Sequence, residues 1–105
     1  MLPSFLDTLQ QIRNTYGKPM IILSGYRDFT HPLERVKENP GTHTYGVAVD
    51  VLAWGEDAMA LFDVAFHYGM RRIGLNQKGA YNSRFLHLDS GDTLNLGFKK
   101  SLWTY

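Results

Sequence analysis

Two short segments constrain this chain more than anything else in it. "GVAVDV" (residues 46–51) and "FLHLD" (residues 85–89) both alternate strictly in polarity. Side chains alternate across a strand, so each segment is read as a strand with two unlike faces. Val47, Val49 and Val51 share one face of the first; Gly46, Ala48 and Asp50 share the other. In the second, Leu86 and Leu88 oppose Phe85, His87 and Asp89. A fold that buries the valines and leucines under helices must therefore present Asp50, His87 and Asp89 on the opposite surface. Small residues at 46 and 48 are expected to leave room beside Asp50, and His43, just upstream, can reach the same side.

The rest of the chain supplies what such a sheet needs. Leu2, Phe5, Leu6, Leu9, Ile12 and Tyr16 fall at helical spacing, with Ser4 and Asp7 as an N-terminal capping pair and Gly17 as the stop. "PMIIL" (19–23) is expected to be a strand, and so are "GVAVDVLAW" (46–54), "RRIGL" (71–75) and "FLHLD". "EDAMALFDVAFHYG" (56–69) is read as a helix with Met59, Phe62, Ala65 and Phe66 on one side. Residues 24–45 show no sustained period and contain Pro32 and Pro40; so long a connection in a small domain is commonly functional. The loop 76–83 is expected to form a rim of the cleft. The tail "LNLGFKKSLWTY" is aromatic enough to pack but has no assignable period. With 105 residues, a single domain spanning 1–105 is expected. The fold class is α+β: a mostly antiparallel sheet with two helices on one face and a cleft on the other.

A net charge of +1 gives no electrostatic reason to expect nucleic acid as a partner. No apolar run approaches the ~20 residues of a membrane span, and the N-terminus lacks the features of a signal peptide. There are no cysteines, which excludes disulfides, cysteine nucleophiles and thiolate metal sites. The remaining ligand chemistry is imidazole and carboxylate. His43, Asp50 and His87 suit Zn²⁺, and three protein ligands with an open fourth position describe a catalytic site. Taken singly, each of these residues is more often an ordinary polar side chain, and alternation alone does not show that the two strands are neighbours.

"SGYR" (24–27), "GTHTYGVAVD" (41–50) and "FLHLD" occur in an order that resembles the LAS zinc metallopeptidases. These are the D-Ala-D-Ala carboxypeptidases, murein D,D-endopeptidases and phage L-alanyl-D-glutamate endolysins. Their pattern is S-G-[YF]-R, then S-x-H-x-x-G-x-A-x-D, then H-x-[DH]; here Gly41 stands where Ser is usual. The resemblance implies a hedgehog/D,D-peptidase-like fold and hydrolysis of peptidoglycan stem peptides through zinc-activated water. It implies Zn²⁺ ligation by His43, Asp50 and His87, and an Arg27 that contacts substrate or steadies the oxyanion. A salt bridge to Asp28, Glu34 or Glu38 is the plainer alternative for Arg27.

Relatives that place a His or an acid two or three positions before the last ligand have Arg84 and Phe85 as counterparts here, and neither accepts a proton at neutral pH. Asp89 is the remaining candidate, either as the catalytic base or as a hydrogen-bonding support for a ligand histidine. His31 and His67 are weaker candidates. Tyr26, Tyr45, Tyr81 and Trp54 are candidate cleft aromatics, Tyr45 and Tyr81 foremost as substrate contacts. The resulting expectation is a monomeric peptidase, made in the cytosol and delivered to the wall by phage lysis or another route. A zinc-containing binding module without catalysis is the alternative, and a metal-free structural domain is a third.

Overall fold

A computed structural model describes residues 1–24, 42–43 and 45–105. The "SGYR" motif beyond Ser24, including Tyr26 and Arg27, and His31 with most of the long connection, lie outside the described residues.

The first helix, α1, runs Pro3–Tyr16. Pro3 occupies its first turn, where the ring presets φ and the missing N–H costs nothing. The expected Ser4–Asp7 capping pair is not formed: the N-cap is Leu2, with no side-chain cap, and Ser4 lies inside the helix, its carbonyl accepting from the Thr8 hydroxyl. Gly17 ends the helix in the left-handed conformation, as expected, its amide donating to the Arg13 carbonyl. Phe5, Leu9, Ile12 and Tyr16 form the inward stripe, while Leu2 and Leu6 are exposed.

The second helix, α2, spans Gly55–His67 and buries Ala58, Leu61 and Ala65. That stripe corrects the expected one. Phe62 packs at the edge of the core, but Met59 is 72% exposed and Phe66 is also largely outside. Counting Met59 and Phe66 as inward favoured size over the small residues that let the helix sit close to the sheet. Lys18 pairs with Asp57 of α2, and Thr15 hydrogen-bonds Tyr68 at 2.6 Å, tying the helices together.

Among the described residues, five strands form one sheet: β1 (Ile22–Ser24), β2 (Ala48–Leu52), β3 (Arg72–Asn76), β4 (Phe85–Asp89) and β5 (Ser101–Thr104), in the order β1-β2-β4-β3-β5. All pairings are antiparallel except β3 with β5, which is parallel. The α+β class with a mostly antiparallel sheet is therefore correct. Strand β4 matches its expected bounds, whereas β2 is shorter than 46–54 and β1 starts three residues later than 19. Ile21, Ile22 and Leu23 are exposed rather than core residues. The unassigned tail supplies β5.

Val47, Val49, Val51, Ile73, Leu86 and Leu88 join Phe5, Ile12, Ala58, Leu61 and Ala65 in one cluster. Both helices thus cover the valine and leucine face, and the ionisable face is left to the other side. Gly46 does not serve as clearance beside Asp50. Its φ is +73°, and a Cβ there would meet Met1 Cα at 3.0 Å and Leu2 N at 3.1 Å. The glycine is required by a left-handed turn and by the close approach of the chain's first residues, whose Leu2 amide donates to the Gly46 carbonyl. Among the described residues, no helix is long and apolar enough to cross a membrane.

Candidate metal centre

Asp50 and His87 stand directly opposite each other in the β2–β4 ladder, flanked by the pairs Val49–Leu88 and Val51–Leu86. Alternation drives those neighbours into the core and leaves the acid and the imidazole side by side on the far face. His87 Nδ1 lies 2.9 Å from Asp50 Oδ1. His43 arrives from the turn preceding β2, where the Gly46 amide donates to the His43 carbonyl and the Val47 amide to the Thr42 carbonyl. This turn places His43 Nε2 3.5 Å from Asp50 Oδ2 and sets the two imidazoles edge to face, with centroids 5.0 Å apart. One ligand atom from each of His43, Asp50 and His87 falls within 4.8 Å of the other two, and all three residues are buried. Three polar side chains converging under this much burial are costly unless they have partners, and their nitrogen–oxygen–nitrogen donor set is one that Zn²⁺ accepts.

Burial pushes the Asp50 carboxyl up, but the hydrogen bonds and positive charge of His43 and His87 outweigh it and bring it to about 2. Burial pulls His87 down, and hydrogen bonds to Asp50 and Asp89 outweigh that in turn, leaving it raised. In metal-free protein the unfolded chain therefore binds the Asp50 proton first as pH falls. Asp50's contribution to stability is full above about pH 4 and is lost as pH drops toward 2. Urea denaturation of chelated protein across that window is expected to show a falling midpoint, with this component missing in Asp50→Asn. The His87 contribution runs the other way: present below 6.5 and lost as pH rises through its raised value.

Asp89 is fully buried, at 0% exposure. Its Oδ2 faces His87 Nε2 at 2.8 Å and accepts from the Thr42 hydroxyl. Its Oδ1 accepts from the Gly91 amide at 2.6 Å and lies 3.2 Å from Arg72 Nε. A carboxylate offers about four lone-pair sites, and here three hydrogen-bonding groups, His87, Thr42 and Gly91, occupy most of them while Arg72 adds an ion pair. Burial pushes the carboxyl up, but the hydrogen bonds from His87, Thr42 and Gly91 outweigh it and hold the carboxyl below its usual range. Arg72 is itself anchored, donating from Nη1 to the Lys99 carbonyl at 2.6 Å and lying against Phe98 and Trp103.

The other candidate residues are more dispersed. Tyr45 is partly buried against the core and meets Phe98 edge-on at 6.0 Å. Tyr81 sits in a short 3₁₀ turn, Tyr81–Ser83, exposed and tilted against Trp54 at 5.6 Å, with the Arg84 guanidinium over its ring. His67 is in the last turn of α2, edge-on to Tyr68, away from the cluster. Sequence reasoning missed Thr42, Arg72, Gly91 and Trp103. Arg72 was within reach of it: in "RRIGL" the apolar Ile73 and Leu75 leave Arg72 and Gly74 on the polar face. Thr42 and Gly91 carry no pattern; only the turns around them bring them to Asp89.

Neither a curated protein nor a solved structure matched this chain significantly. A family model described as Peptidase M15 matches residues 1–89. That span opens with α1, takes in His43, Asp50 and His87, and ends on Asp89. Since it covers most of the sequence, the chain belongs to the peptidase M15 family.

Proposed function

We propose that this protein is a zinc peptidase acting on peptidoglycan stem peptides, with its metal held by His43, Asp50 and His87. The observation that carries the reading is the convergence of those three buried donors on the sheet face opposite the helices. A bound Zn²⁺ would acidify water to a pKa of about 7 and polarise the scissile carbonyl. The chain's own residues supply orientation. With a metal bound, Asp89 would accept from His87 Nε2–H, which would fix the tautomer and leave Nδ1, on the Asp50 side, free to serve as the ligand atom. Engagement of Asp89 by three hydrogen bonds and the Arg72 ion pair favours this supporting role over proton transfer. Arg27 is assigned to the substrate carboxylate or the oxyanion because a planar, permanent cation suits both. Tyr45 and Tyr81 are assigned to flanking contacts with the peptide. Activity on the wall would follow delivery by phage lysis or another export route.

A second reading has one specific observation behind it. Among the described residues, the two carboxylates at the cluster, Asp50 and Asp89, are both engaged, which suits a module that binds cell-wall peptides without cutting them. Metal analysis combined with muropeptide digestion separates the readings. The peptidase is expected to carry about one zinc per chain and to release new amine from stem peptides. A chelator should stop that release, and zinc should restore it. Stoichiometric zinc with no turnover on any stem peptide would sink the peptidase reading in favour of the binder. Absence of metal, with His43→Ala and His87→Ala indistinguishable from wild type, would remove both.

A further inference from the structure

One cross-strand row runs through the whole sheet: Ser24, Asp50, His87, Gly74 and Trp103 stand in register on successive strands. Gly74 separates His87 from Trp103, and the tryptophan uses the space a side chain would fill. A Cβ on Gly74 would lie 2.5 Å from Trp103 Nε1, 2.6 Å from Cε2 and 2.9 Å from Cζ2. The indole is thus laid across the bare glycine backbone and reaches the neighbouring strand's imidazole, with ring centroids 5.1 Å apart and planes inclined at 51°. Arg72, the ion-pair partner of Asp89, has its guanidinium 5.5 Å from the same indole. Trp103 is partly buried, and it lies beyond the residues matched by the family model.

We infer that Trp103, seated over Gly74, is a positioning residue for the metal ligand His87. Asp89 restrains the imidazole at Nε2. Asp50 meets Nδ1, so the ring can still roll about the line through its two held nitrogens, and the indole limits that roll from the β3 side. It also shields the His87–Asp89 hydrogen bond from water, which strengthens it. The inference rests on the metal-centre reading given under Proposed function.

Co²⁺ is a suitable probe because its visible absorption reports ligand geometry and its binding can be followed without substrate. Contacts of this supporting kind typically contribute 10–100-fold in metal affinity, so Trp103→Ala is expected to weaken Co²⁺ binding by about tenfold and to alter the absorption band, whereas Trp103→Phe should stay within about threefold of wild type. Gly74→Ala should reproduce the Trp103→Ala spectrum, since the added methyl displaces the indole while every ligand remains. The chain has two tryptophans, so Trp54→Phe isolates Trp103. Its fluorescence should be quenched by Co²⁺ and recover with chelator. Circular dichroism identifies the folded variants, and Trp103→Phe and Gly74→Ala keep the test decisive if Trp103→Ala does not fold. Folded Trp103→Ala or Gly74→Ala with wild-type Co²⁺ affinity and spectrum would overturn the inference while leaving the metal centre intact. Failure of wild-type protein to bind Co²⁺ would overturn both.

Discussion

Asp89→Ala is expected to destabilise the metal-free protein by about 3–5 kcal/mol, the range for removing one member of a buried charge pair. The magnitude follows from what is left behind. The Thr42 hydroxyl, the Gly91 amide and His87 Nε2 would lose a buried acceptor, and Arg72 its ion-pair partner, at once. Water cannot easily replace it, because the site has no exposed surface and Gly91 is packed too tightly to move aside: a Cβ there would already meet Thr42 Cγ2 at 2.4 Å. At roughly 4–8 °C per kcal/mol for a domain near this size, thermal melting should fall by at least about 12 °C. Asp89→Asn keeps the volume but turns its NH₂ against the donors on one side of the former carboxylate, and should cost about 1–3 kcal/mol. Both variants should also bind Zn²⁺ 10–100-fold more weakly, because the His87 tautomer is no longer enforced. Melting curves of chelated protein and a zinc titration measure the two effects. Wild-type values in Asp89→Ala would show that the network does not hold the site.

Asp50→Asn is expected to have the larger functional effect. The amide preserves the shape of the side chain and its place in the ladder, so the sheet should survive. The negative charge between the two imidazoles disappears. Metal affinity should fall by more than the roughly 10–100-fold that changes at supporting residues produce, and stem-peptide hydrolysis should fall with it to the level of chelated wild-type protein. Retention of stoichiometric zinc and of hydrolysis would show that the ligand set is wrong. His43→Ala, which deletes a donor on the turn instead of in the sheet, should match Asp50→Asn in activity with a smaller change in melting temperature.

The site was legible in the sequence to the extent that it is built from alternation. In "FLHLD" one face must go inward, so the positions of His87 and Asp89 follow from the leucines between them. Local rules failed where tertiary contacts chose among permitted local structures. Ser4 and Asp7 satisfy a capping pattern, yet Pro3 starts the helix earlier. Gly46 looked like open space beside Asp50 and is instead filled by the chain's own first residues. Met59 and Phe66 have the right spacing for a core face, but Ala58, Leu61 and Ala65 let the helix approach the sheet more closely. Strand β5 had no readable signal, because pairing parallel to β3 across an intervening β4 is a long-range choice. Trp103 was missed with it.

The pairing of Asp50 with His87 also makes the centre a detector of misalignment. Sliding β4 by one residue along β2 would put His87 among the valines and a leucine beside Asp50. Such a slip is penalised twice, by the exposed leucines and by the buried imidazole. A misaligned sheet would also have no ligand pair to offer. Metal capture would thus select chains whose strands have already met in the correct frame, and the time course of metal uptake during refolding should lag behind formation of the β2–β4 ladder rather than precede it.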